Sequence, residues 1–292
     1  MPQALIVFFL LTLAVCAQAK EGFREDLSKL PPAVKRWQDR VFMVSIHGYP
    51  WGTAFLVHSE PGKLHFLTAK HVAERCNVGY KCTLDQNALK AGRHAETTST
   101  QSLEILARNV VVFEPAGEEW RNTGLEGTDI GYFTTKSFTG APEARIDELT
   151  KPPLAKLPTN EVVAQRHFIL GYPHLTSRPS LDTDENQVFR LRWSEGDRIL
   201  KDPIPGGGTR VLANADSLGG NSGGPVIRED GSLLGILYGG PTGTAYAGDG
   251  SFHSYFIPLE YVRVFIKAIE TNHPSAHNAC AESKKAHCLE GR

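Results

Sequence analysis

The sequence predicts an all-β fold in two halves, followed by a C-terminal helix. Three observations carry this reading. Short runs rich in Val, Ile, Phe and Leu recur between clusters of Gly, Pro, Asn and Asp; a proline-rich stretch without apolar alternation divides them; and sustained helical periodicity is confined to the end of the chain. The first set of strands falls at 41–46, 53–57, 64–68, 103–107, 110–113 and 130–133, and the second at 168–170, 187–193, 210–213, 225–227, 233–237 and 254–257. Residues 136–161 hold Pro142, Pro152, Pro153 and Pro158 and read as a crossing linker. Leu259, Val262, Phe265, Ile266 and Ile269 share one helical face behind Pro258, whose fixed φ suits a first turn. The expected boundaries are 20–40 for an N-terminal extension, 41–135 and 162–270 for the two halves, and 271–292 for a polar tail.

Composition narrows the class. A chain of 292 residues that is 41% hydrophobic can bury a sizeable core. Its formal net charge of -1 supplies neither a nucleic-acid-binding surface nor a polybasic membrane anchor. The run Leu5 to Val15 is too short to span a bilayer and is followed by Ala17-Gln18-Ala19, a small-x-small cleavage pattern. Residues 1–19 therefore read as a signal peptide, which places the mature protein outside the cell or in the periplasm. Cys16 lies within that segment, and Cys76, Cys82, Cys280 and Cys288 remain as an even set suited to an oxidising compartment. Four cysteines allow three pairings, of which proximity favours Cys76 with Cys82 and Cys280 with Cys288. A zinc site is the alternative, but the four lack metal-ligand spacing with neighbouring histidines. No metal and no organic cofactor is implied.

Three segments can carry chemistry. In Leu218 to Ile227, LGGNSGGPVI, Ser222 stands among glycines that let the backbone turn sharply and aim the amides of Gly220 and Ser222 at one point. A serine alcohol needs a nearby base and such a donor pair to act as a nucleophile. In Gly52 to Val72, GTAFLVHSEPGKLHFLTAKHV, a strand, a turn and a second strand deliver His71 at a strand end, with a short helical turn after it. In Gly127 to Phe133, GTDIGYF, Asp129 opens an apolar strand, where a carboxylate can orient an imidazole. Each has a plainer structural reading taken alone: a hairpin turn, a structural histidine and a turn-forming acid.

Taken together, TAKH, DIGYF and GNSGGP, in the order His71, Asp129, Ser222 and beside Gly52-Thr53-Ala54-Phe55, resemble the chymotrypsin-like (trypsin-like) serine peptidase family from about Val41 to Glu270. The resemblance implies two six-stranded antiparallel β-barrels with the active site between them. It also implies acyl transfer to Ser222, with His71 as base then acid, Asp129 as its orienter and the Gly220 and Ser222 amides as oxyanion donors. The substrate would be a protein or peptide, held as an added strand along Tyr238, Gly239 and Gly240. Gly171-Tyr172-Pro173 is similar to a motif of bacterial members, although an ordinary turn accounts for it equally well.

The chain also departs from the family pattern. Zymogen-activated members carry an Asp before the nucleophile, whereas this chain has Asn221, and no Ile-Val-Gly-Gly sequence stands near Val41. An amide forms no ion pair with a new amino terminus, so activity is expected not to depend on that cleavage. The sequence is thus closer to bacterial members, but the residues after Glu270 are too few for a PDZ domain. Asp216, six residues before Ser222, leaves two readings: the base of a pocket for Arg or Lys, or a loop stabiliser with Ser217. Leu237 stands where glutamyl-specific relatives have His. The alternative function is a catalytically inactive binding protein on the same fold. An esterase is disfavoured because the Ser222 turn lies among β signals rather than in an α/β pattern.

Overall fold

The computed structural model describes residues 22–76, 80–86, 89–90, 102–115, 125, 128–146, 160–174, 188–203, 209–240, 252 and 254–278. The expected signal peptide, Cys280 and Cys288 lie outside them, as does half of the expected linker, 147–159. The first half carries β1 (Val41–Ile46), β2 (Tyr49–Glu60), β3 (Lys63–Thr68), β4 (Cys82–Asp85), β5 (Leu89–Lys90), β6 (Ser102–Ile105), β7 (Val110–Phe113) and β8 (Gly131–Lys136). The second carries β9 (Val162–Gly171), β10 (Val188–Phe189), β11 (Arg192–Pro203), β12 (Thr209–Ala213), β13 (Pro225–Arg228), β14 (Leu233–Gly239) and β15 (Ser254–Pro258), and a short β16 (Ala276–Asn278) ends the described chain. Among the described residues three α-helices accompany the strands: α1 (Pro32–Lys35), α2 (Lys70–Arg75) and α3 (Leu259–Glu270).

The second half closes into an antiparallel barrel in the order β11-β12-β15-β14-β13-β9. The expectation of two six-stranded barrels is corrected for the first half, an eight-stranded curled sheet in the order β16-β7-β8-β3-β2-β1-β4-β6. A strand offers only two edges. Those of β7 are taken by β8 and by β16, through Ala276↔Phe113 and Asn278↔Val111, so β6 has no edge of β7 on which to close the ring. The polar tail is thus held by backbone pairing as far as Asn278. β5 and β10 pair with each other and tie the two halves together at a second place.

Residue alternation explains why the first-half strands read as nearly continuous apolar runs. Phe42 and Val44 of β1 and Ala54 and Leu56 of β2 point into the first-half core, whereas Val41, Met43, Phe55 and Val57 point into a second cluster shared with Phe168, Leu170 and Trp193 of the second half. The same shared cluster takes in Leu259, Val262 and Phe265 of α3, and the Phe265 ring lies 5.2 Å from Phe113. It also buries Leu30, Val34 and Trp37, so the N-terminal extension completes the core. Trp37 Nε1 donates to Gly231 O at 2.9 Å. A separate cluster with Ile169, Val211, Val226, Leu237 and Phe256 fills the closed barrel.

Two elements escape a periodicity reading. The strand β4, Cys-Thr-Leu-Asp, is too short to display a period, yet it pairs with both β1 and β6. β11 continues to Pro203 through Glu195, Asp197 and Arg198, charges that a barrel strand tolerates on its outer face. Among the described residues no helix is long and apolar enough to cross a membrane. Cys76 and Cys82 form a disulfide with Cα atoms 5.5 Å apart, closing the loop between α2 and β4.

Burial of three histidines sets an acid limit on stability. Desolvation pushes the imidazoles of His65, His167 and His174 below the ordinary value of 6.5. Unfolding frees them to take up protons at that ordinary value, so the unfolded state binds more protons below pH 6.5 and the native state loses stability as pH falls. The carboxylates that the fold stabilises as anions, Glu114 among them, respond only below their ordinary 4.5, which leaves the interval between for the histidines. Thermal melts across that interval are expected to show a falling Tm in the parent chain and a shallower fall in the His167→Gln, His174→Gln double variant. Equal slopes would contradict this account.

Candidate active site

His71 is the second residue of α2, and β3 and Ala69 lead into it. Asp129 lies two residues before β8, which is hydrogen-bonded along β3 from Lys63↔Lys136 to Thr68↔Gly131. That pairing delivers the carboxylate to the start of α2. Asp129 Oδ1 accepts from the His71 main-chain N–H at 2.8 Å, and Oδ2 lies 2.5 Å from His71 Nδ1. The two-point contact orients the ring, and a proton on Nδ1 leaves Nε2 with its lone pair. Asp129 is largely covered whereas His71 is half exposed, so the pair has a protected end and an open end.

Around this pair the charges are already matched. Lys70 hydrogen-bonds to Glu114 and stands 3.5 Å from Glu74, and His277 of β16 reaches the other Glu114 oxygen at 3.4 Å. The hydrogen bond from Lys70 holds the Glu114 carboxyl below its usual range. A cleft of about 380 Å³ opens here, with Lys70, His71, Glu114 and Asp129 in its wall. Among the described residues, no group of three or more His, Cys, Asp and Glu is placed to hold a metal ion.

Ser222 is brought to the same place by close backbone packing. A Cβ on Gly52 would lie 2.6 Å from Val72 Cγ2, beside His71, and 3.1 Å from Ser222 O, so only a bare α-carbon lets β2 fit between α2 and the serine turn. Thr53 N donates to Ser222 O at 2.8 Å. Gly223, at φ +89°, would put a Cβ 2.0 Å from Thr53 O, which explains why a glycine follows the serine. Ser222 Oγ donates to Tyr238 O at 3.4 Å, a long bond, and among the described residues it makes none to His71.

The remaining predicted residues are distributed as follows. Gly220 is buried at the turn, and its amide and that of Ser222 donate to no protein acceptor among the described residues. Tyr238 and Gly239 end β14 and Gly240 follows, all partly exposed, and a Cβ on Gly239 would meet no atom within 4 Å. Asp216 packs against the N-terminal extension: a Cβ on Gly22 would fall 1.5 Å from Asp216 Oδ2, and Asp216 O accepts from Ser194 Oγ at 2.6 Å. Asn221 is buried, and its Oδ1 has no hydrogen-bond partner among the described residues. Sequence reasoning gave no role to Thr53, Tyr172 or His174, all of which contact the serine turn. Thr53 and Tyr172 lay inside motifs already singled out, but their contacts are across the halves and leave no local signature.

Comparison with known proteins follows the same lines. The description of a trypsin-like peptidase domain matches residues 52–236. No curated protein sequence matches the chain. Among solved structures, neuropsin, a serine protease expressed in the limbic system of mouse brain, is 20% identical with a TM-score of 0.51, the match covering 85% of this chain and 98% of that one, which shows a shared chymotrypsin-like fold. An inactive form of Rv3671c from M. tuberculosis H37Rv is 15% identical with a TM-score of 0.46, covering 84% of this chain and 93% of that one.

Proposed function

The chain belongs to the trypsin-like peptidase family, and on that premise we propose that it is an exported serine endopeptidase whose nucleophile is Ser222, with His71 as general base and Asp129 as its orienter. The observation that carries the reading is the two-point hold of Asp129 on His71, which leaves Nε2 as the acceptor on the open end of the pair. A turn about the Cα–Cβ bond takes Ser222 Oγ off the Tyr238 carbonyl, and in unliganded sites such catalytic hydrogen bonds are commonly long until substrate binds.

Ser222 Oγ attacks the scissile carbonyl carbon and passes its proton to His71 Nε2, while the carbonyl oxygen gains the electron pair and the Gly220 and Ser222 N–H groups donate to it. Collapse breaks the C–N bond, the amine leaves with the proton from His71, and water then releases the acyl group by the same relay. A peptide substrate lies along Tyr238 to Gly240, where the open space at Gly239 leaves room for its backbone. Export is supported by the Cys76–Cys82 disulfide, a bond that persists in oxidising compartments.

Labelling tests the reading. A phosphonylating reagent is expected to modify Ser222 and to leave the Ser222→Ala variant unlabelled. A folded but unlabelled parent chain would favour the inactive binding protein instead.

Of the two roles for Asp216, the contact of its carboxylate with Gly22 of the N-terminal extension favours loop stabilisation over a charged pocket floor. A peptide library is therefore expected to be cut with similar efficiency after Arg, Lys and uncharged residues. A strong preference for Arg and Lys would return Asp216 to the pocket.

A further inference from the structure

The two amides at the serine turn are useful as oxyanion donors only if their peptide planes face one way. Among the described residues no peptide bond is cis, and in a trans peptide the N–H points opposite to the preceding C=O, so each donor is aimed by whatever holds the carbonyl before it. The Gly220 N–H is aimed by Gly219 O, which accepts from His174 N at 2.7 Å. The Ser222 N–H is aimed by Asn221 O, which accepts from Gly224 N at 2.9 Å. Between these lies the peptide joining Gly220 to Asn221. Its N–H makes a turn bond to Leu218 O at 3.1 Å, and its carbonyl accepts from Thr53 Oγ1 at 2.6 Å.

Thr53 belongs to β2 of the first half and is fully buried. Its hydroxyl accepts from Tyr172 N at 3.2 Å while donating to Gly220 O, which spends its one proton and fixes its rotamer. Its main-chain N–H holds Ser222 O, and its carbonyl accepts from Thr68 Oγ1 at 2.7 Å. Its N–H and its hydroxyl are therefore committed to the junction of the two halves, while its carbonyl is held within the first. Without the hydroxyl, the 220–221 peptide keeps only the longer turn bond, and its plane is freer to turn about ψ of Gly220 and φ of Asn221, the torsions that join it to the two donor planes.

We propose that Thr53 is a positioning residue for the oxyanion donors, by which the first half locks the orientation of a turn that belongs to the second. The inference rests on the role of Ser222 given above. The bond that holds the peptide between the two donors is therefore made only when the two halves are docked.

The test compares Thr53→Val, which keeps the shape and removes the hydroxyl, with Thr53→Ser, which keeps the hydroxyl. For Thr53→Val, kcat per titrated active site is expected to fall by on the order of 10- to 100-fold with KM changed less than about threefold, since the loss concerns the transition state and a whole missing donor costs roughly 10² to 10³. The affinity of a peptidyl trifluoromethyl ketone, which forms a tetrahedral oxyanion, is expected to weaken by the same factor as kcat/KM, while that of a product peptide stays unchanged. Thr53→Ser is expected to restore both to within about threefold of the parent. A Thr53→Val enzyme with kcat within about twofold of the parent overturns the proposal, as does equal weakening of ketone and product peptide. If Thr53→Val is insoluble, Thr53→Cys, with similar size and a far weaker donor, takes its place under the same two outcomes. Retained activity in Ser222→Ala would remove the underlying reading, whereas an inactive Ser222→Ala beside a fully active Thr53→Val removes this inference alone.

Discussion

Replacing Ser222 with Ala is expected to lower kcat by on the order of 10⁴ to 10⁶ while leaving the melting temperature close to that of the parent. The loss is large because the reaction divides into acylation and deacylation only if an alcohol is present to carry the acyl group. What remains is attack by water in a site that still binds substrate and still offers the Gly220 and Ser222 amides. The fold should be indifferent to the change: Ser222 Oγ makes one long hydrogen bond to Tyr238 O, and the contacts that hold the turn, to Thr53 and to Gly224, are made by backbone atoms of residues 219–222. Steady-state kinetics and a thermal melt on the same preparation check both halves. Activity within about a hundredfold of the parent would contradict Ser222 as nucleophile.

Asp129→Asn is expected to cost about 10⁴ in kcat with little change in KM. The carboxylate makes two bonds to His71, one to the main-chain N–H and one to Nδ1. An amide can keep the first through its oxygen, but its NH₂ then faces Nδ1 and donates to it, so the ring carries its proton on Nε2, where it cannot accept one from serine. The amide also withdraws the negative charge that would stabilise the imidazolium during attack. Because the shape of the side chain is preserved, a loss of activity with unchanged Tm would identify the tautomer and charge as its cause. A variant with near-parent turnover would show that His71 is oriented by something else.

The two β-rich halves and the C-terminal helix are legible in the amino-acid sequence because each has a local signature, and the motifs around His71, Asp129 and Ser222 mark these residues as candidates for chemistry. β1 and β7 match their expected spans, whereas Pro258, expected in the first turn of α3, is the last residue of β15 and caps the helix in an extended conformation. Gly220 and Gly223 take positive φ, at +91° and +89°, a local demand of the turn that makes the motif visible without the fold.

How these pieces meet is set by the packing of the chain as a whole. His71 and Asp129 are 58 positions apart, and the hydroxyl of Thr53 reaches a carbonyl 167 positions away; such contacts follow from β pairing and from the docking of two halves, which residue spacing does not encode. The same is true of β16, whose residues have no apolar alternation and become a strand because β7 offers an unfilled edge. Leu30, Val34 and Trp37 look like scattered apolar residues in an extension until the shared core supplies a surface for them. Asp216 is a further case: its distance to Ser222 leaves both a pocket floor and a loop acid open, and its surroundings, Gly22 and Ser194, are contributed from far along the chain. Local patterns specify which residues are able to react, and long-range burial and edge pairing decide which of them share a site.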